Sequence, residues 1–152
     1  MIAWMFLFAA AQGLTEKQIS TPKVCAGVTP PRELFRYGGV NRKPWPKSIE
    51  LTSKPARVED FFGQGTREIQ VDWCREDLSP RRVRRLVLDV WRGIFRFAEP
   101  QPVWIEATFV AFSATLVDSD RTRRRFQSNG REAAIEDRQG VVWYFRLRDA
   151  VR

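Results

Sequence analysis

Carboxylates are the only ordinary acid–base groups this 152-residue chain offers, because it contains no histidine. That removes the usual general base, the usual charge relay and the commonest metal ligand together. Two close carboxylate pairs remain, Asp118 with Asp120 and Glu136 with Asp137. Acids two apart on a turn suit calcium, but the glycine and distal glutamate of a calcium loop are missing. The plainer reading is that these side chains bond the backbone of their own turns. Glu106, beside Trp104 in an apolar stretch, is the carboxylate expected to be partly buried. Burial would raise its pKa unless an arginine pairs with it. Gly63 and Gly65 lack the lysine and serine of a phosphate loop and read as turn residues. No catalytic residue, cofactor or metal site is expected, and the chain is not expected to be an enzyme.

The cysteines carry a different chemistry. Cys25 and Cys74 cannot by themselves close a tetrahedral zinc site, and a cysteine nucleophile would lack its histidine base. An even pair in an exported chain reads as one disulfide, which would tie a loose N-terminal segment to the start of the main domain. Such a loop is worth ~3–4 kcal/mol on the chain-entropy model. The alternative is two buried thiols in a reducing compartment.

The first fourteen residues bear on the compartment. They contain no charged side chain, are strongly apolar from Ile2 to Phe8, and run into Ala9, Ala10 and Ala11. A short apolar core ending in small residues is the pattern of a secretory signal peptide, here without a basic residue before the core. At ~1.5 Å per residue the segment is too short to span a ~30 Å hydrocarbon layer as a helix. The alternative is an apolar N-terminus buried in the fold or in a neighbour.

Basic residues outnumber acidic ones by 26 to 18, a formal net charge of +8. The halves differ: residues 1–78 carry +2 and residues 79–152 carry +6, and beyond Lys54 every basic residue is arginine. Arg81, Arg82, Arg84 and Arg85 form one cluster, and Arg121, Arg123, Arg124 and Arg125 another. Arginine presents a planar fork of donors to phosphate or carboxylate, so the eight are the candidate binding surface for an anionic partner: an acidic protein, lipid phosphate or RNA. Arg146 and Arg148, with Tyr144, add to this on another strand, where an exposed aromatic among arginines can hold single-stranded nucleic acid. The plainer readings are a solvated face and a charged strand that guards a sheet edge.

Elements must position these groups. Residues 15–47 hold Pro22, Pro30, Pro31, Pro44 and Pro46 with Gly27, Gly38 and Gly39, and read as an extended proline-rich arm docked by Leu34, Phe35, Tyr37 and Trp45. A short strand is expected at 48–52, an aromatic-anchored turn at 61–65, and a strand at 67–73 with Ile69, Val71 and Trp73 on one face. Ser79 as N-cap and Pro80 at the first position open a helix expected over 79–97. Val83, Leu86, Val87, Val90, Trp91, Ile94, Phe95 and Phe97 would line its apolar face, and Arg81, Arg82, Arg85, Arg92 and Arg96 the opposite one. Asp89 would lie within pairing reach of Arg85 and Arg92. The arginines of the first two turns sit at the positive end of the helix dipole, the unfavourable end for cations.

The remainder predicts antiparallel sheet. Residues 103–117 read as one long strand apolar on both faces, and 121–127 as its return, with Thr122, Arg124 and Phe126 on one side. Ser128, Asn129 and Gly130 form a hairpin turn. Residues 132–136 read as a strand or a helical turn. Val141, Trp143, Phe145 and Leu147 then alternate with a basic outer face.

The expected architecture is α+β: a curved antiparallel sheet packed on one main amphipathic helix, with an extended proline-rich N-terminal arm. Residues 1–14 are the signal peptide or buried apolar N-terminus, 15–47 the arm, and 48–152 a single domain. The expected function is a small exported, periplasmic or secreted, non-enzymatic binding or structural domain of the bacterial cell envelope, with no integral membrane span. The alternative is an intracellular, arginine-rich RNA-binding or structural subunit of a ribonucleoprotein or other large assembly.

Overall fold

The computed structural model describes residues 13–25, 56–97 and 110–148. In chain order its elements are a 3-10 turn (Glu16–Gln18), β1 (Ile19–Ser20), β2 (Ala56–Arg57), α1 (Val58–Phe62), β3 (Thr66–Cys74), α2 (Pro80–Trp91), β4 (Ile94–Phe97), β5 (Phe112–Asp118), β6 (Arg123–Ser128), β7 (Glu132–Glu136) and β8 (Val142–Leu147). The strands form one eight-stranded sheet in the order β1-β3-β5-β6-β7-β8-β4-β2. Every pairing is antiparallel except that of β1 with β3. The sheet curls into a half-barrel with α2 packed on its inner face, an α+β fold.

Period-two alternation builds the inner face. On β5 it presents Phe112, Ala114, Leu116 and Asp118, and on β6 Arg124, Phe126 and Ser128. The register carries this across the sheet, placing Ala133 and Ile135 beside Ser128 and Phe126, and Trp143 and Phe145 beside Ile135 and Ala133. Ring packing then ties helices to sheet. Phe62 stacks on Phe145 with centroids 5.4 Å apart, Phe95 lies 4.7 Å from Phe145, and Trp91 of α2 lies 5.8 Å from Phe126.

Helix α2 starts as its sequence dictates. The Ser79 hydroxyl accepts from Arg82 N–H at 3.2 Å, and Pro80 occupies the first position, where no amide hydrogen is needed. Val83, Val87, Val90 and Trp91 are fully buried on its sheet side. The helix does not run to residue 97, however. It ends at Trp91, and Ile94–Phe97 is strand β4, paired with β8 and β2. Gly93 marks the break. A Cβ there would lie 2.8 Å from Leu147 Cδ2 and 3.0 Å from Val90 O, so a larger residue would have to displace the Leu147 side chain of β8. Its carbonyl accepts from Val58 N–H, which joins the break to the start of α1. The run IFRF satisfies both the helical period and the strand period, and pairing with β8 decides between them.

Two further differences are local. Residues 61–65 include the end of α1, and the turn after it uses Gly65 at φ 78°, a backbone conformation that favours glycine. A bulge between Val71 and Trp73 changes the facing of β3, so Cys74 rather than Trp73 joins Ile69 and Val71 in the core. Residues 132–136 resolve as a strand. The expected strand at 48–52, Glu106 with most of 103–117, and the arm from residue 26 to 47 lie outside the described residues.

The buried charge on the inner face is Asp118, and its partner is Arg124. Arg124 Nε donates to Asp118 Oδ2 at 3.0 Å, and Nη2 donates to Oδ1 at 2.9 Å. Nη2 also reaches Phe62 O at 2.8 Å and Thr66 Oγ1 at 2.9 Å, so one guanidinium joins α1, β3, β5 and β6. Both side chains are essentially inaccessible. At the other end of β3 the disulfide is formed: Cys25 and Cys74 are bonded, with Cα atoms 4.9 Å apart. Leu14, Ile19 and Cys25 are all buried, so the start of the arm contributes to the core itself.

Two stability tests follow from these clamps. Asp118→Ala leaves a buried guanidinium without its carboxylate and should cost about 3–5 kcal/mol in urea unfolding. Adding Arg124→Met to it should recover part of that loss; equal or greater loss in the double variant would deny the pair its role. Replacing both cysteines by serine removes a crosslink spanning 49 residues, worth about 4 kcal/mol on the chain-entropy model. Hydrogen exchange should then show residues 14–25 losing protection before β5 and β6; simultaneous loss would contradict the local anchoring described here.

Candidate functional site

The eight candidate arginines fall on different sides of the sheet. Helix α2 packs on the inner face, so the side it turns away from the sheet presents Arg81, Arg82 and Arg85 to solvent. Arg124 points into the core beside Phe126, and by alternation Arg123 and Arg125 point to the outer face. The clusters on α2 and β6 therefore do not converge on one site.

Their side chains are also committed to different degrees. Arg124 is consumed by Asp118. Arg125 pairs with Glu136 at 2.9 Å, and Arg123 donates to Gln70 Oε1 at 2.9 Å. Arg121 is exposed in the turn after β5 with φ 71°. Arg84 is half-buried and structural: Nε donates to Ile19 O at 3.3 Å and Nη2 to Thr21 Oγ1 at 3.2 Å. Arg81, Arg82 and Arg85 are exposed and make no ion pair with any described residue. Arg146 and Arg148 are exposed at the β8 end of the sheet; the Tyr144 side chain lies outside the described residues.

No acid forms an ion pair with Arg81, Arg82 or Arg85 among the described residues. Asp77 is taken by Arg75, whose Nε and Nη2 both donate to it. That hydrogen bond holds the Asp77 carboxyl below its ordinary value, with the charge of Arg82 a smaller contribution. Glu76 and Asp89 are exposed, and Asp89 makes no ion pair with Arg85 or Arg92 among the described residues. The other acidic candidates are likewise engaged. Arg138 bonds Asp120, whose carboxyl is held below its ordinary value first by Thr122 N–H and further by Arg138. Asp137 accepts from Gln139 N–H, Val141 N–H and Trp143 Nε1.

The N-terminal segment completes the surface beside α2. Leu14 N–H donates to Glu59 Oε1 at 3.0 Å, and Leu14 O accepts from Arg92 Nη2 at 3.0 Å. From that anchor the chain runs back along the helix, past Arg84, to the disulfide ahead of Ser79. Lys23 and Val24, between Thr21, which Arg84 bonds, and Cys25 of the disulfide, are both exposed, Val24 at 70%. Sequence reasoning missed this strip because the contacts join residues more than sixty apart. No helix among the described residues is long and apolar enough to cross a membrane. Comparison with protein-family models, curated proteins and solved structures finds no match to this chain.

The commitment of Asp77 is open to titration. Arg75→Gln should move the Asp77 carboxyl upward toward its ordinary value in an NMR pH series, whereas Arg82→Gln should leave it nearly in place. The reverse ranking would mean that Asp77 neutralises the helix after all.

Proposed function

We propose that the chain is an exported, disulfide-clipped, non-enzymatic domain of the cell envelope that binds an anionic partner through the outward side of α2. The observation that carries the export reading is the buried bond between Cys25 and Cys74. Structural disulfides persist in oxidising compartments and are rare where thiols are kept reduced. The apolar start ending in Ala9, Ala10 and Ala11 supports the same reading from the sequence. Among the described residues, the first fixed by side-chain bonds to the fold is Leu14, three positions beyond Ala11, so removal of residues 1–11 would leave those contacts intact. Binding rather than catalysis is supported by a sequence without histidine and by acidic candidates already engaged with arginine, tryptophan or backbone groups.

Mass spectrometry of the protein from its native source tests this. The expected species lacks Met1, begins shortly after Ala11, and has the mass of the disulfide rather than the dithiol. A mature chain beginning at Met1 with both thiols free would overturn the reading in favour of an intracellular assembly.

A further inference from the structure

We infer that Asn129, followed by Gly130 at the tip of the hairpin between β6 and β7, is a deamidation site that the folded chain holds unreactive and that converts once the hairpin opens. The chain has two asparagines, Asn41 and Asn129, and of these Asn129 alone precedes a glycine. Deamidation begins when the next backbone nitrogen attacks the asparagine Cγ, and a glycine there puts no side chain in the way.

The reaction needs water and no other partner. The Gly130 nitrogen gives its proton to solvent base and bonds to Asn129 Cγ; the Cγ–Nδ2 bond breaks and ammonia leaves, closing a succinimide ring. Water then opens the ring at Cγ to give aspartate, or at the backbone carbonyl of residue 129 to give isoaspartate, whose main chain runs through the side chain. The fold withholds both reacting groups. Gly130 N–H is buried and donates to Ser128 Oγ at 2.9 Å, so its proton is closed to solvent base. The Ser128 hydroxyl is itself fixed, donating to Glu132 O at 2.8 Å. The Asn129 carboxamide is clasped by its oxygen, which accepts from Arg131 N–H at 2.9 Å and Glu132 N–H at 2.8 Å. Asn129 N–H donates to Glu132 O at 3.2 Å and closes the turn. Reaction therefore waits on opening of the tip, and its rate follows the population of the open form. The position of the hairpin gives the product its consequence. Strands β6 and β7 lie in the middle of the sheet, with Ser128 in register with Ala133. Isoaspartate adds a carbon to the main chain beside that pair, so a chain modified while open loses the register of the central strands. The aspartate form keeps an oxygen for Arg131 N–H and Glu132 N–H.

Peptide mapping of the full, disulfide-bonded chain tests the inference. The protein is held at mildly alkaline pH, either folded or in guanidinium chloride, and then cut with trypsin, which releases residues 126–131 between Arg125 and the bond after Arg131. Chromatography with mass spectrometry separates the asparaginyl, aspartyl and isoaspartyl forms of that peptide. Asn129 should convert at least about tenfold faster in guanidinium than in the folded chain, because the bonds at the tip must break before the groups meet. Asn41, with Arg42 after it, should convert more slowly than Asn129 in guanidinium. Ser128→Ala removes the acceptor of Gly130 N–H and should raise the folded-state rate at least about threefold, the worth of one hydrogen bond, while leaving the rate in guanidinium unchanged. After dilution from guanidinium, isoaspartyl chains should collect in the fraction that fails to refold, and aspartyl chains should refold. Equal or faster conversion in the folded chain would overturn the inference, since the two N–H groups on Oδ1 would then be activating the carboxamide. No conversion in guanidinium, or a folded-state rate unmoved by Ser128→Ala, would overturn it as well. Isoaspartyl chains that refold as completely as unmodified ones would overturn the consequence drawn for the central strands.

Discussion

A guanidinium buried on the inner face of a sheet must find a carboxylate and satisfy its remaining donors, or the fold would carry an unpaired charge in its core. Arg124 meets that constraint with Asp118, Thr66 and the last carbonyl of α1. Each partner comes from a different element, so the requirement of one side chain sets the mutual positions of β3, β5, β6 and α1. Strand β3 is then held at both ends, by Thr66 in this cluster and by Cys74 in the disulfide. With β3 fixed, β1 has an edge to pair with, and the segment from Leu14 to Cys25 has a course to follow along α2.

The same strand shows how one residue type serves opposed ends. Arg123, Arg124 and Arg125 are consecutive, and period-two geometry sends the middle one to the core and its neighbours to solvent. Identical side chains thus become a structural clamp and two surface cations paired with Gln70 and Glu136. On α2 the period of 3.6 divides the arginines similarly. Arg84 turns toward the N-terminal segment and fastens it, while Arg81 and Arg85 stand clear. Composition alone treats all of these as equivalent positive charge.

Where local pattern decides, the sequence shows the fold. The alternation of β5, β6 and β8, the turn at Ser128, Asn129 and Gly130, and the cap formed by Ser79 and Pro80 are each set by neighbours within a few residues. The cysteine pair was legible because two cysteines allow one intramolecular bond. What escaped depends on distant partners. Strand β4 reads as the last turn of a helix because Ile94 and Phe95 suit both periods, and its pairing with β8 joins residues some fifty apart. The parallel edge formed by β1 has no local signature at all. Asp118 looks like a turn aspartate, yet a signal for its role was present: an arginine sharing a face with Phe126 requires an acid. Of the candidate site, the arginines of α2 were visible, but the commitment of Arg84 to the N-terminal segment depends on contacts with Ile19 and Thr21 that only the tertiary fold reveals.

The strand order has a consequence for how the chain reaches this state. The centre of the sheet is the meander of the last four strands, while β1 and β2, earliest in the chain, lie at its two margins, with β3 and β4 just inside them. A chain emerging from its N-terminus therefore produces the rim of the sheet before the middle. Until β5 is available β1 with β3, and until β8 is available β2 with β4, form only two-stranded fragments, which are marginal in water. Arg124 likewise arrives after the strand and helix it must join. Cooperative closure thus waits on the final third of the polypeptide, and the nascent chain stays extensible for most of its synthesis.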